Sequence, residues 1–325
     1  MAADPVSLDS EPQKHYHVYH AEAEVLSGEL KHPIHQRIEK YARIEMITRR
    51  DDHFTQTVGE TTLEGLISFK SGQTRVSGSR LQDKKDMWGK SHSSWVTLST
   101  SVIEGLNVFD VITADRVVAQ VSTEHLDFED EKPNHVPQVT FLGTRFENLR
   151  VGGYPVEVEL DLGFCENKPV GDKPFVQDRD FLDRVKDQLD QIAKARELPE
   201  TLEFDYKEKV TSIDQLKERV ATVDRAQPGQ NGYSRLQCSL VKSIGPIPIP
   251  GVRTFGNLIV IPDFGVVSLA ELEVGTEAIG KGFGSPKDPG ASNYFTLSML
   301  NIQMGCIGGG NVTAARTKSN GNTHP

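Results

Sequence analysis

Residues 94–125 read SWVTLSTSVIEGLNVFDVITADRVVAQVSTEH and contain two runs rich in β-branched residues. The first run alternates in character, with Val96, Leu98 and Val102 on one face and Trp95, Thr97, Ser99 and Ser101 on the other. This is the period of a strand, because successive strand side chains point to opposite faces. The stretch therefore predicts two neighbouring strands, which we expect to be joined across residues 104–107.

The second run changes phase near Asp115-Arg116. Ile112 and Ala114 share one face, whereas the later apolar residues lie on the other phase: Val117, Ala119 and Val121. One extra residue in a strand flips every later side chain, so the pattern predicts a β-bulge at this point. A similar phase switch occurs between Met299 and Leu300.

Other segments extend the β pattern outward from this pair. Alternation predicts strands within residues 19–25, 63–69, 73–76, 139–142, 156–162 and 236–240. Gly152-Gly153 predicts a hairpin, because glycine readily adopts positive φ. Residues 34–48 fit both a helix and a strand, and we favour a strand. The polar segment 77–93 predicts a loop.

Residues 178–225 differ from the rest because their apolar residues recur at helical spacing. The first stripe consists of Phe181, Leu182, Val185, Leu189 and Ile192. Either Asp178 or Asp180 could cap this helix, and Leu198-Pro199 would end it. Ser212-x-x-Gln215 resembles a capping box, which predicts a second helix from Ser212. The pair could cover a sheet edge or face, or project as an arm that contacts another subunit.

The fold class predicted is mainly β, an antiparallel β sandwich or paired sheets with a two-helix insertion at about 175–228. We expect a single β domain over residues 15–312. Residues 1–14 are acidic and contain two prolines, which predicts a disordered arm. Residues 313–325 predict a flexible tail.

Composition narrows the classes of partner and compartment. The chain has 325 residues and a formal net charge of −10 at pH 7, and phosphate binding needs a clustered basic surface. We therefore expect no nucleic-acid partner. No apolar run has the length of a membrane span or a signal peptide, so we expect the chain as given to be cytoplasmic, or secreted if a signal peptide was removed. The cysteines are widely spaced, which favours buried thiols: Cys165, Cys238 and Cys306.

Candidate sites are few. The sequence contains no recognisable catalytic or cofactor-binding motif, so we assign no catalytic residue and no cofactor. His15 and His17 share a strand face and are the candidate metal ligands, but zinc needs three or four, so surface strand residues are the favoured interpretation. Trp88, in the expected loop, is the candidate ligand-binding residue because it could stack on a sugar, whereas Trp95 is expected in the core.

Two segments resemble a known family. SVIEGLNVFDVITADRVVAQV (101–121) and VTFLGTRFENLRVGGYPVEVELD (139–161) are similar to bacterial surface proteins of the choice-of-anchor P type. Those proteins repeat a similar phrase of strands and turns. The resemblance implies an all-β domain with a role in display or assembly, and it implies no catalytic residue.

Two functions remain open at this stage. The first is a non-enzymatic structural or interaction protein that self-associates through strand edges and terminal arms, since exposed edges can accept further strands. The alternative is a carbohydrate-active enzyme or carbohydrate-binding module on a β scaffold. The expected partner is accordingly a second copy of the chain or, in the alternative, a carbohydrate.

Overall fold

A computed structural model gives the architecture of the protein. The structure describes residues 15–32, 34–85, 91–127, 136–170, 173–222, 235–278, 291–305 and 309–324. The expected disordered arm at 1–14 lies outside these residues. Within the described segments, no helix combines the length and apolar character needed to span a membrane.

Antiparallel strands dominate the described chain, which confirms the mainly β fold with two helices. The strands are β1 (Tyr16–Leu30), β2 (Gln36–Tyr41), β3 (Ile44–Thr48), β4 (Asp52–Val58), β5 (Thr61–Leu63), β6 (Ile67–Phe69), β7 (Ser71–Lys85), β8 (Ser91–Val108), β9 (Ile112–Asp127), β10 (Gln138–Thr140), β11 (Arg145–Glu147), β12 (Arg150–Val151), β13 (Tyr154–Pro155), β14 (Val158–Leu160), β15 (Arg235–Ser239), β16 (Val241–Ile244), β17 (Arg253–Phe255), β18 (Leu258–Ile261), β19 (Gly265–Ala278), β20 (Ala291–Met304) and β21 (Gly310–His324). The helices are α1 (Arg179–Ala193) and α2 (Glu200–Thr222).

The strands form two large sheets that pack against each other. In the nine-stranded sheet the order is β17-β18-β19-β20-β21-β1-β2, with β15 also on β19 and β3 also on β1. In the ten-stranded sheet β9 and β8 are central, and β7 and then β4 continue outward from β8. β1 and β21 of the first sheet contact β8 of the second, and β21 also contacts β9. A two-stranded sheet joins β14 to β16.

The phase switch in the opening stretch is confirmed, but no extra residue causes it. On β9 the buried residues are Ile112 and Ala114 and then Val117. The pairing skips one residue on each strand, Gly105 on β8 and Asp115 on β9, so the register is unchanged. Gly105 has φ +62, a left-handed conformation that glycine adopts without steric cost.

A matching irregularity crosses the other sheet, and it confirms the phase switch at Met299. The ladder skips Val25, Ala315, Met299 and Ala270 in four successive strands. All four residues are buried. In each of these strands, the side chains that point inward follow one alternation before the skipped residue and the opposite alternation after it.

Two boundaries expected from the sequence are wrong. The link between the two central strands is not at 104–107, because β8 continues to Val108 and the chain turns at Phe109 and Asp110, both with positive φ. The expected loop at 77–93 is largely strand, since β7 and β8 pair as far as Lys85 and Ser91. In the β7 part of this segment the buried position is Gly78, between the partly exposed Ser77 and Ser79, so no apolar alternation marks the strand.

The expected flexible tail at 313–325 is also wrong. β21 runs to His324 and lies between β1 and β20 in the interior of the nine-stranded sheet. Its residues are mostly small or polar, and several are nevertheless fully buried, including Ser319 and Asn320. Both flanking strands satisfy its backbone, so a segment that has the composition of a tail forms an interior strand.

Two local predictions are confirmed. Residues 34–48 form strands, namely β2 and β3, with Ala42 between them at φ +45. Gly152 and Gly153 turn the hairpin of β12 and β13 at φ +53 and +83.

The helical insertion lies against the nine-stranded sheet. Asp178 caps α1 by accepting a hydrogen bond from the Phe181 backbone N–H at 2.8 Å, and all five residues of the predicted stripe are buried. The expected start of a second helix at Ser212 is wrong, because α2 already begins at Glu200 and the Ser212 hydroxyl donates back to the Glu208 carbonyl. Phe175 links the insertion to β20 through its ring contact with Phe295.

The space between the sheets is apolar towards one end and polar towards the other. Towards the polar end, hydroxyl groups of one sheet donate to backbone carbonyls of the other: Ser99 to Glu22 at 2.5 Å and Ser101 to Glu24 at 2.8 Å. On β8 the hydroxyl face is therefore the buried face, whereas Val96 and Leu98 are partly exposed.

Candidate functional site

Sheet edges can bind other chains, because an edge presents unpaired N–H and C=O groups. The edge formed by β15 is protected by the helical insertion. The Gln188 side chain donates to the Ser239 carbonyl at 2.9 Å and accepts from the Ser239 N–H at 2.8 Å. Gln188 therefore occupies the place that a further strand would take.

Other described edges are short or charged, and β3 has five residues that include Glu45. β5 and β17 have three residues each, and β13 contains Pro155, which has no N–H to donate. β2 has the sequence QRIEKY, so three of its six residues are charged. Short length, proline and charge are the usual means by which proteins prevent strand addition.

β4 differs from all of these edges. It has seven residues, DHFTQTV, pairs along its whole length with β7, and has no strand on its other side. Asp52 to Thr57 are exposed and Val58 is partly exposed. The strand contains no lysine, arginine or proline, and its one formally charged residue is Asp52 at its start. No alternation of apolar residues predicts this strand, although Thr55, Thr57 and Val58 are β-branched residues that favour one.

The side chains of β4 form two different faces. Residues opposite each other in an antiparallel pair point to the same face. Phe54 lies opposite the buried Val76, so its side chain is on the same face of the sheet as Val76. Phe54 is nevertheless 44% exposed. An aromatic side chain exposed on an open edge is a contact that a further strand would cover.

A second cluster lies on the outward face of the nine-stranded sheet around His20. Its ring nitrogens lie 3.5 Å from Glu22 and 3.5 Å from Glu277. Lys318 also contacts both carboxylates, at 3.7 Å from Glu22 and 2.8 Å from Glu277. The cluster thus ties β1, β21 and β19 together by ionic contacts.

These contacts shift the pKa values of the cluster. His20 lowers the pKa of Glu22 to about 2, with a further contribution from Lys318. Burial alone would raise the pKa of Glu277, but His20, Lys318 and Asn320 outweigh it and lower the value to about 2. Burial disfavours the charged form of His20, yet its two carboxylate neighbours raise its pKa.

Ligand atoms of His20, Glu22 and Glu45 lie within 4.8 Å of one another, which is the spacing a metal ion needs. The cluster already contains its own cations, however. Arg43 lies 3.4 Å from Glu22 and 3.2 Å from Glu45. Because Arg43 and Lys318 compensate the carboxylates, the arrangement favours an internal ion-pair network over a cation site.

The two candidate metal ligands lie between the sheets, on the opposite face from His20. His15 contacts the Asp127 carboxylate at 2.7 Å, and His17 contacts the Thr323 hydroxyl at 3.0 Å. The His17 ring stacks on Trp95 at 5.4 Å and lies 4.7 Å from the His125 ring. Neither His15 nor His17 belongs to the three-residue group that could hold an ion among the described side chains. Both are buried, so their expected surface position is wrong.

The remaining sequence candidates that the structure describes give no accessible site. Trp88 and Cys306 lie outside the described residues. Trp95 is 2% exposed, which confirms its place in the core and removes it as a stacking surface. Cys165 and Cys238 are buried free thiols, as expected, and burial raises both pKa values, which keeps the thiols protonated.

A cavity of about 650 Å³ lies between the helices and β15. Leu189 and Ile213 contribute apolar surface, whereas Asp205 and Lys209 give it opposite charges. This mixed lining favours no single class of ligand.

The chain belongs to the family defined by a domain of unknown function (DUF8256), whose model matches residues 17–275. No curated protein matches the chain. No solved structure matches it either.

Proposed function

We propose that this protein is a non-enzymatic structural or interaction protein that self-associates through a strand edge. The observation that carries the proposal is the open edge of β4, seven residues long and exposed, without the charges or proline that protect other edges. A strand added there would pair with the outward backbone groups of β4 and cover Phe54, although the His53 N–H already donates to the Asp52 carboxylate at 2.8 Å.

Terminal arms do not carry the proposal. The C-terminal segment is an interior strand, and residues 1–14 are outside the described chain. Self-association therefore depends on the edge of β4, and the helical insertion protects a different edge through Gln188.

The test is the mass of the full chain in solution, measured by light scattering after size exclusion at several concentrations. The proposal predicts a mass above that of the 36.0 kDa chain, rising towards a limit as concentration increases. A mass of one chain at every concentration would contradict it.

A further inference from the structure

We infer that the assembly closes at two copies, by antiparallel pairing of β4 with β4 of a second copy around a two-fold axis at Thr55. This inference rests on the proposed function, and it adds the partner, the register and the size of the assembly. In it the two ten-stranded sheets become one continuous sheet.

Closure at two copies follows from the inventory of edges. An open chain of subunits needs two different surfaces that fit each other, whereas one surface that fits itself closes at a dimer. Among the described edges of the two large sheets, β4 is the longest strand that is exposed and free of lysine, arginine and proline; β3 also lacks these residues but has only five residues and contains Glu45. A contact made by this edge alone uses the same residues in both copies, so no second edge remains to extend it.

Charge supports an antiparallel pairing centred on Thr55, the middle residue of β4. In this register all seven residues pair, and Asp52 lies opposite Val58 of the second copy. The same operation on β2 would place Arg37 opposite Lys40, because its centre lies between Ile38 and Glu39. Like charges directly opposite are destabilising. In the register that pairs every residue of the strand, β4 therefore avoids opposed like charges and β2 does not.

Phe54 gives the contact an apolar component. In the Thr55-centred register Phe54 lies opposite Gln56 of the second copy and diagonal to Phe54 of that copy. Diagonal neighbours on one face lie about 7–8 Å apart, within reach of aromatic side chains. The exposed ring would thus be covered by its own symmetry mate.

The first experiment compares the full chain with Thr55→Lys by light scattering. The substitution places two lysines opposite each other at the axis. Because residue 55 also lies opposite Arg75 of β7, urea denaturation of the variant checks that the chain remains folded. We expect about twice 36.0 kDa for the natural chain at high concentration and 36.0 kDa for the variant. The control is Thr254→Lys on the exposed edge of β17, which should keep the mass of the natural chain.

The second experiment is oxidative cross-linking of Thr55→Cys, which gives a positive signal that can be compared with a second cysteine position on the same strand. Residues directly opposite in an antiparallel pair have Cα atoms about 4.5–5.5 Å apart, within the range of a disulfide. Only the residue on the axis meets itself, so this variant should form a covalent dimer efficiently. Thr57→Cys on the same strand should cross-link far less, and the unsubstituted chain gives the background from its native thiols.

The outcomes separate this inference from the proposed function. A natural chain that stays at one copy would contradict both. Masses beyond two copies, or an unchanged mass for Thr55→Lys together with no cross-link at Thr55→Cys, would overturn the two-fold β4 contact and leave self-association standing.

Discussion

At the scale of single residues, glycine allows the two sheets to pack closely. A Cβ atom added at Gly78 on β7 would lie 2.4 Å from the Tyr19 ring, which is buried between the sheets. No relaxed structure contains carbon atoms this close, so the ring or a strand would have to move. Gly78 is therefore required by packing, not by backbone conformation.

Gly78→Ala should lower the free energy of unfolding by about 1–3 kcal/mol, because overpacking a filled interior forces side chains or backbone to shift. Urea denaturation measures this. The control is Gly59→Ala, since a Cβ atom there would have no neighbour within 4 Å. Equal stability of the two variants would contradict the close approach at Tyr19.

The ionic cluster around His20 predicts how stability changes in acid. Glu22 and Glu277 have pKa values of about 2 in the folded protein, against 4.5 for a free glutamate. Between these values the unfolded chain binds more protons than the folded chain, so their contribution to stability is present above pH 4.5 and is lost as the pH falls towards 2.

We therefore expect the free energy of unfolding of Glu277→Gln to fall less steeply between pH 4.5 and pH 2 than that of the natural chain. Urea denaturation at several pH values measures the slope. Glu39→Gln, on the exposed surface of β2, should retain the natural slope. If both variants gave that slope, the cluster would not be the cause of the acid sensitivity.

At the scale of elements, one side chain of α1 forms hydrogen bonds with the edge of the nine-stranded sheet. Gln188 makes two hydrogen bonds with the backbone of Ser239, which is 1% exposed. A buried backbone group without a partner costs about 1–3 kcal/mol. The helical insertion thus completes an edge that would otherwise remain unsatisfied or accept another chain.

Gln188→Ala should lower the free energy of unfolding by roughly that amount and loosen β15 specifically. Hydrogen exchange followed by mass spectrometry should show faster exchange in residues 235–239. Gln191→Ala, an exposed position on the same helix, should leave both properties unchanged. Unaltered exchange in β15 after loss of Gln188 would show that the helix does not protect the edge.

The sequence predicted the elements whose buried face is apolar. The α1 stripe, the 152–153 hairpin and the phase switches at Arg116 and Met299 are all carried by aliphatic residues or glycines. It failed where hydroxyl and amide residues fill the interior. Ser99 and Ser319 are buried because they form hydrogen bonds between the two sheets. A pattern of apolar residues does not indicate such hydrogen bonds. β4 was missed for a related reason, since an exposed edge strand has no buried face.

At the scale of the whole molecule, one sandwich combines an apolar end, a hydroxyl-rich end and a covered β15 edge with one long open edge. The charged, short or proline-containing strands elsewhere limit growth of the sheets. Residues 52–58 are the exception. This asymmetry among the described edges is the reason we propose a contact with another copy at β4.

The most direct measurement is hydrogen exchange of the full chain at low and high concentration, read at residues 52–58. If two copies pair through β4, the β4 amides should become protected as concentration rises. Thr55→Lys should abolish this protection while exchange in other strands stays the same. Protection that does not depend on concentration, or that appears at a different strand, would contradict the account.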